Sequence, residues 1–326
     1  MGGGGDRGAT VESGNAQDGT LSASVGRIQF DTSKNGTGSA TGELAAAGAW
    51  TPPPCWYAPT YTPAQFKKVG ESIWYKPTPE LKLPSPTAVG RYTASTELSR
   101  YKYGQPYTDF NMAKMGKGYW WTSFPNPDLK NNPAASSCDS DPFWVDNGQP
   151  PPPVRNAVTP EVLAELAYAK IRVPGTKVNL SPAGIQTVNL NTWAWLSKGA
   201  VKPVSVTASV PSIGISATTT ATPIALHIDP GTQNANVYPT SGDCPITPDG
   251  SIGTPYQPAD GNNIPPCGLT YLRATTGSSP YPFTAALTWK ISWTGTGTGG
   301  VGGNLPNGTF GTTTPLTVQE IQTVVR

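Results

Sequence analysis

The chain has 326 residues, which is enough for two domains of ordinary size. Charged residues make up only 13% of it and the formal net charge is +2, so the charge balance indicates neither nucleic acid nor an acidic substrate as a partner. Glycine and proline are abundant (37 and 36 residues), as in loop-rich chains, but 10 tryptophans and 13 tyrosines favour a folded protein. No apolar run reaches the roughly 18 residues of a transmembrane helix, so no membrane insertion is predicted.

Residues 1–48 are rich in glycine, alanine and serine, which predicts a flexible tether in which residues 25–30 could form one short strand. The first residues lack the basic and apolar regions of a signal peptide. Two interpretations follow: a cytosolic protein, or an exported one whose signal peptide has been removed. An even number of cysteines, few lysines and glutamates, and abundant threonine, serine, glycine and asparagine favour export, and hence a secreted or cell-surface location.

The four cysteines allow three disulfide pairings. Pairing Cys55 with Cys138 and Cys244 with Cys267 keeps each bridge within one candidate domain, so we predict these two bonds. A metal site would need clustered ligands such as C-x-x-C, which are absent from the sequence, so no metal is predicted. Free thiols are the remaining alternative.

Residues 49–149 predict an aromatic, proline-rich α+β domain that holds six of the tryptophans and eight of the tyrosines. Thr62, Pro63 and Gln65 have the spacing of a helix capping box, and the helix is expected to continue to Trp74. Residues 116–121 are expected to enter a strand.

The same stretch interleaves basic residues with aromatic ones, a pattern found on ligand-binding surfaces. The candidate binding residues are Trp56, Tyr57, Lys67, Lys68, Tyr101, Tyr103, Trp120 and Trp121. The partner would be a cell-wall glycan or another envelope protein rather than nucleic acid. In the alternative interpretation the aromatic rings simply form the core of a domain that is poor in leucine, isoleucine and valine.

Residues 150–200 are predicted to form a connector between the two domains. Pro150 to Pro153 form a stiff linker. Thr159 and Pro160 start a helix over residues 161–170, which is expected to end near residues 173–175. Short strands are expected at 177–180 and 187–195.

Residues 201–326 predict an antiparallel, immunoglobulin-like β-sandwich. Strands are expected at 205–210, 216–228 and 283–293, where apolar and polar residues alternate. We expect residues 229–266 to form a loop tied by a disulfide, residues 295–303 a hairpin tip, and residues 314–325 a last strand with a bulge or at an edge. The overall fold class is therefore mainly β with a few helices.

Several chemistries find little support in the sequence. A Ser-His-Asp triad would depend on His227, the sole histidine, and neither a G-x-S-x-G elbow nor a phosphate-binding loop in a strand-to-helix context is present. Acidic residues that could act as a pair on a sugar, or ligate calcium, are more typical of turns here. They are Glu71, Asp109, Asp139, Asp141 and Asp146. No cofactor is predicted.

The segments 50–57, 118–121, 142–145, 159–168, 190–196 and 314–326 resemble secreted proteins of unassigned function from Streptomyces and related actinomycetes. The resemblance runs from about residue 48 to the end of the sequence. The C-terminal part is also similar to a polycystic-kidney-disease-type (PKD) immunoglobulin-like domain, without the W-D-F-G-D-G stretch. The resemblance implies an exported protein and no particular reaction.

Together these features predict an exported, non-enzymatic protein of the actinomycete cell envelope or extracellular space, with a binding or structural role. One alternative is an enzyme that acts on wall polysaccharide through carboxylates of the aromatic domain. Another is a self-assembling surface or filament component.

Overall fold

The computed structural model describes residues 28–37, 40–74, 99–104, 106–129, 131–175, 177–196, 202–277, 279–297 and 302–321, with only the backbone for 72–74. These residues form a mainly β structure whose larger sheets are antiparallel, with few helices. The predicted fold class is confirmed at this level.

One sheet extends through the molecule, and we call it the large sheet. Its strands are, in spatial order, β1 (Gln29–Lys34), β11 (Val204–Val210), β12 (Ile215–Asp229), β16 (Tyr281–Thr296), β17 (Gly302–Leu316) and β3 (Ala45–Ala46), with β14 (Asp243–Pro245) also paired to β12. The strands predicted at 205–210, 216–228 and 283–293 are confirmed, because β-branched residues at alternate positions suit a half-buried sheet.

The large sheet has one buried face and one polar face. In β16, Leu287, Trp289 and Ile291 are buried whereas the intervening Thr288 and Lys290 are not, as the alternation predicts. The polar face carries rows of serine and threonine, and hydroxyls on neighbouring strands pair across it. The burial of a single face sets the register, because a slip of one residue would expose every core side chain.

Helix α2 (Pro160–Ala169) lies on the buried face of the large sheet. The buried hydroxyl of Thr219 donates a hydrogen bond to the carbonyl oxygen of Ala164 at 2.8 Å. The predicted N-cap is confirmed, since the Thr159 hydroxyl accepts a hydrogen bond from the Val162 N–H at 3.3 Å. The helix therefore covers one end of this face.

A second, small sheet covers the other end of the buried face. It consists of β13 (Ala235–Tyr238), β15 (Gly268–Tyr271), β10 (Asn191–Trp195) and β8 (Asn179–Ser181), in that order. Two of these strands come from the predicted connector. The predicted Cys244–Cys267 disulfide is confirmed, and it joins β14 of the large sheet to the residue before β15 of the small sheet. The bond therefore ties the two sheets together.

The last strand of the large sheet differs from the prediction. The stretch 295–303 was predicted as a hairpin tip, but β16 continues to Thr296 and β17 begins at Gly302 and ends at Leu316. Residues 298–301 of the predicted tip lie outside the described residues. A Cβ at Gly311 would lie 2.5 Å from the Cβ of Ala286, so a glycine is needed for the two strands to approach. Because glycine has a low strand propensity, a prediction based on propensity does not identify this strand.

Beyond β17 the prediction of one strand over 314–325 is also wrong. The chain instead forms β18 (Val318–Gln319), which pairs in parallel with β9 (Gln186–Thr187). Residues 322–325 of the predicted strand lie outside the described residues.

A three-stranded sheet forms the aromatic region, from β4 (Cys55–Tyr61), β5 (Gly118–Pro125) and β6 (Phe143–Asp146). Helix α1 (Pro63–Trp74) follows β4, and its capping box is confirmed. Gln65 Oε1 accepts a hydrogen bond from the Thr62 N–H at 2.9 Å, and the Gln65 N–H donates to Thr62 Oγ1 at 3.4 Å. The predicted Cys55–Cys138 disulfide is confirmed as well.

The predicted tether over residues 1–48 is corrected in its described part. Strand β1 pairs with β11, β3 pairs with β17, and β2 (Gly42–Glu43) pairs with β7 (Arg172–Val173). Main-chain hydrogen bonds therefore fix residues that composition alone suggests are loose. Residues 1–27, 38 and 39 lie outside the described residues.

The buried core is continuous from the aromatic region to the large sheet, since Trp121 and Leu287 belong to one cluster of buried residues. The predicted boundaries at 49–149, 150–200 and 201–326 remain a prediction. In the described part of the chain, no helix is long and apolar enough to cross a bilayer.

Candidate binding groove

Five of the eight predicted binding residues are buried. Trp56, Tyr57, Tyr101, Trp120 and Trp121 expose 5% of their surface or less. They cannot meet a ligand in this conformation, so the structure assigns them a core role. This agrees with the alternative interpretation of the aromatic region, in which rings replace aliphatic side chains.

Trp120 and Tyr101 belong to an aromatic cluster formed by Phe66, Tyr101, Phe110 and Trp120. The rings of Phe66 and Trp120 stack with centres 4.4 Å apart, and Tyr101 meets both edge-on. The Trp120 Nε1–H donates to the carbonyl oxygen of Phe110 at 3.0 Å. The cluster therefore holds α1 against the three-stranded sheet.

Beside this cluster the backbone is strained. Asp109, Phe110 and Asn111 have φ angles of 43°, 55° and 58°, in the left-handed region that non-glycine residues rarely enter. Lys67, which was predicted to bind a ligand, instead forms an ion pair with Asp109, since its Nζ lies 2.8 Å from Asp109 Oδ1. Lys67 thus helps to hold the turn.

The remaining predicted residues, Lys68 and Tyr103, are exposed. The Lys102 ammonium lies 5.2 Å from the centre of the Tyr103 ring, a cation–π distance. Neither Lys68 nor Tyr103 lines the groove described below.

Most of the candidate carboxylates have cationic partners. Asp141 pairs with Arg100, and Glu71 lies 3.9 Å from Lys102. Asp146 accepts a hydrogen bond from the Trp144 indole at 2.7 Å and is 3.2 Å from Lys114, and chiefly the indole bond holds the pKa of Asp146 below its ordinary range. Each of these three carboxylates therefore takes part in a local ion pair.

His227 projects from the polar face of β12. Its Nδ1 lies 2.8 Å from Asp243 Oδ1 on the paired strand, and both side chains are about half exposed. Among the described residues no group of three or more His, Cys, Asp or Glu side chains is placed to hold a metal ion.

A groove of about 580 Å³ opens between the two sheets at the Phe283 end of the large sheet. This volume lies within the range of about 300–1,000 Å³ that is usual for ligand sites. Its lining residues are Lys177, Val178, Asn179, Leu180, Ala183, Gly184, Ile185, Trp195, Phe283, Ala285, Thr312, Thr314, Pro315, Leu316 and Thr317.

Two strands border the groove with part of their outer edges unpaired among the described residues. Strand β8 is the last strand of the small sheet. On the opposite side, β17 pairs with β3 only at Gly308 and Thr309, so within the described residues 311–315 have no ladder partner on that side. At such edges alternate residues direct their N–H and C=O groups outward. The groove therefore offers main-chain hydrogen-bonding groups along two of its borders.

The side chains of the groove are mostly apolar, with hydroxyls along one border. Phe283 and Ala285 are buried, Trp195 is half-buried, and Thr312 and Thr314 are exposed. The lining residues named above include no Asp, Glu or His, and Lys177 is their single charged member. This composition suits a neutral, extended ligand.

A buried glutamine fixes the turn at one end of the groove. The Gln186 amide donates hydrogen bonds to the carbonyl oxygens of Pro182 and Gly184, each at 2.9 Å, and its Oε1 accepts from the Thr192 hydroxyl at 2.6 Å. These bonds position the half-exposed Ile185 at the opening. The groove is thus held by this network and by the Cys244–Cys267 disulfide.

Sequence reasoning missed the groove because no residue in it has unusual chemistry. Thr314 has the character of an ordinary strand residue, Thr312 lies in a stretch with no predicted element, and β8 is only three residues long. The one available signal was Trp195, which shares a strand face with Trp193 in the expected connector. Which strand edges lack a partner depends on contacts between residues that are far apart in the sequence.

Comparisons with known protein families, curated proteins and solved structures find no match to this chain.

Proposed function

We propose that the protein is an exported, non-enzymatic binding protein whose groove accepts an extended polypeptide strand. The observation that supports this most is the position of the groove between two strand edges, β8 and residues 311–315 of β17, that have no partner in the described part of the chain. In this proposal the two sheets are an immunoglobulin-like sandwich that lacks a strand at one edge.

A bound strand would use the two kinds of contact that strand addition requires. Its main chain would pair with an open edge, which supplies affinity, and its alternate side chains would enter the groove, which supplies specificity. Phe283 and Ala285 form an apolar floor for those side chains. A strand that alternates apolar and polar residues would fit best.

The two disulfides indicate an oxidising environment, which supports an extracellular location. We place the protein at the actinomycete cell envelope or outside the cell on the basis of its resemblance to secreted proteins. The strand would then belong to another envelope protein.

A cell-wall glycan is the second candidate ligand. The half-buried Trp195 could stack on a sugar ring, and the hydroxyls of Thr312 and Thr314 could bond to its oxygens. This candidate explains the polar border of the groove but gives no role to the open main-chain edges. Polysaccharide hydrolysis is favoured less, because the groove lining contains no pair of carboxylates.

The test is a comparison of Thr314→Arg with Thr313→Arg. Both threonines are exposed and adjacent on β17, but Thr314 lines the groove whereas Thr313 pairs with Thr284 on the polar face, with hydroxyl oxygens 3.0 Å apart. The arginine at 314 would fill the groove with bulk and charge, and the arginine at 313 would not.

The probes are a soluble, fluorescent peptide of alternating serine and valine flanked by lysines, its block-sequence isomer, and soluble chitin and peptidoglycan fragments. We expect the alternating peptide to bind, and Thr314→Arg alone to weaken it by about tenfold or more, or about 1.4 kcal/mol. Binding of a glycan alone, lost in Thr314→Arg, would favour the second candidate. Equal binding of all probes by the wild type and Thr314→Arg would refute a function for the groove.

A further inference from the structure

We infer that the strand bound in the groove is residues 21–25 of a second copy of this chain, so that copies join head to tail. The inference rests on the proposed function of the groove and names its partner.

Residues 20–26 have the sequence pattern of a half-buried strand. Leu21, Ala23 and Val25 alternate with Thr20, Ser22, Ser24 and Gly26, and no charged residue interrupts them. Such strict alternation with period two predicts a strand with one apolar and one polar side. The segment lies outside the described residues, immediately before β1.

This pattern is complementary to the groove. The apolar side of the segment would contact Phe283, Ala285 and Leu316. Its serines would face solvent on the same side as Thr313, on the polar face of the large sheet. The segment is uncharged, and Lys177, the only charged residue among the lining residues, is exposed, so the bound strand would bring no charge into the apolar part of the groove.

The segment cannot reach the groove of its own chain. Gln29 pairs with Ser209, Ser209 with Ser216, and Ser216 with Thr296, so the start of β1 lies level with one end of β16. The groove lies at Phe283, 13 positions away along β16. At about 3.4 Å per residue this separation is about 44 Å.

Val25 is three residues from Ile28, the first described residue, and three extended residues span only about 10 Å. The shortfall of about 34 Å excludes insertion in the same chain. Only the groove of a second copy can receive residues 21–25.

The donor segment precedes β1, whose start is level with Thr296, whereas the acceptor groove lies at Phe283, so donor and acceptor are different parts of the chain. Such a contact is heterologous, so each copy that donates a strand still offers its own groove. The geometry therefore points to open chains of copies rather than to a closed dimer.

The test uses full-length protein in size-exclusion chromatography with light scattering, over a range of concentrations. We expect the wild type to form species larger than a dimer as its concentration rises. Leu21→Asp/Val25→Asp should be monomeric, since it places charges on the apolar side of the donor strand, whereas the matched Ser22→Asp/Ser24→Asp should still assemble. Thr314→Arg should be monomeric, and Thr313→Arg should still assemble.

A mixing experiment separates donor from acceptor. Thr314→Arg keeps an intact donor segment and Leu21→Asp/Val25→Asp keeps an intact groove, so an equimolar mixture should yield a 1:1 dimer and nothing larger. Circular dichroism of each variant checks that the fold is retained.

A monomeric wild type at all concentrations would overturn the inference, as would a Leu21→Asp/Val25→Asp variant that assembles like the wild type. If the alternating serine–valine peptide still bound in a manner sensitive to Thr314→Arg, only the identity of the partner would be refuted. If that peptide also failed to bind, the proposed function of the groove would fail with it. Assembly that required added glycan would equally overturn the direct strand exchange.

Discussion

The aromatic region and the groove between the two sheets use the same residue types in opposite ways. In the aromatic cluster, Phe66 and Trp120 stack at 4.4 Å and the indole N–H has a buried partner, so the surface is closed. At the groove, Trp195 is half-buried, and two strand edges lack partners on their outer sides among the described residues. A high density of aromatic residues therefore marks the core of this protein, and unpaired main chain marks its candidate site.

The largest expected effect is in the aromatic cluster. Trp120→Ala should reduce the free energy of unfolding by about 4 kcal/mol, because it removes a buried ring and leaves a cavity among the other three rings. Denaturant unfolding followed by circular dichroism measures this change. Tyr103→Ala, at a residue that is 73% exposed, is the control and should change stability by less than about 0.5 kcal/mol. Similar losses in both variants would show that the cluster is not part of the core.

The second effect concerns the disulfide between the sheets. Replacing Cys244 and Cys267 together with alanine should reduce stability by about 3 kcal/mol, the value expected for a loop of this length, and should weaken binding in the groove. The binding of the alternating serine–valine peptide reports on the groove.

The paired replacement of Cys55 and Cys138 is the matched control for binding. It removes a bond in the aromatic region, so it should destabilise the protein but leave the affinity for the peptide unchanged under native conditions. Equal loss of affinity in both double variants would mean that Cys244–Cys267 has no specific role in shaping the groove.

A smaller effect is expected at Tyr168. Burial raises the pKa of its hydroxyl to about 12, and this buried oxygen has no hydrogen-bond partner among the described residues. Tyr168→Phe should therefore stabilise the protein by up to about 1 kcal/mol, because an unsatisfied buried group is removed and the ring stacked on Trp50 is kept. A loss of more than 1 kcal/mol in thermal unfolding would show that the hydroxyl has an unrecognised partner.

The smallest effect is a pH dependence at Glu165. Burial, followed by the charge of Glu161, raises the pKa of the Glu165 carboxyl in the folded protein. The carboxyl therefore ionises at lower pH in the unfolded chain than in the folded protein. As a result, the free energy of unfolding falls as the pH rises from the unfolded pKa of Glu165 to its folded pKa. Glu165→Gln should raise the free energy of unfolding at pH 7 by up to about 0.5 kcal/mol. This gain should vanish below the unfolded pKa of about 4.3. A gain of equal size at pH 3 would point to a cause other than ionisation.

Much of the fold follows from local sequence signals. The predictions confirmed are the caps at Thr62 and Thr159, the alternation in β16 and both disulfide pairings. The caps and the alternation depend only on neighbouring residues, and the disulfides required a choice among only three pairings. The strand β17 was missed because its glycines are required by Ala286 and Tyr168, which lie far away in sequence.

The candidate site was not predictable for a related reason. Trp120 and Trp121 are adjacent and aromatic, but the pleat directs them into two different cores, and residue type alone does not show this. The groove depends on which strand edges stay unpaired, and that is decided by the arrangement of β8, β17 and β3 in space.

The most direct test is hydrogen exchange of the main-chain amides at the two edges, measured on the full chain with and without a synthetic peptide of residues 19–27. If a strand is added in the groove, the outward-facing amides within residues 311–314 or 179–181 should become protected by about tenfold or more, while the amides of β6, in the aromatic region, stay unchanged. The peptide with aspartate at positions 21 and 25 should give no protection. Binding of the wild-type peptide without slower exchange at either edge would contradict strand addition in the groove.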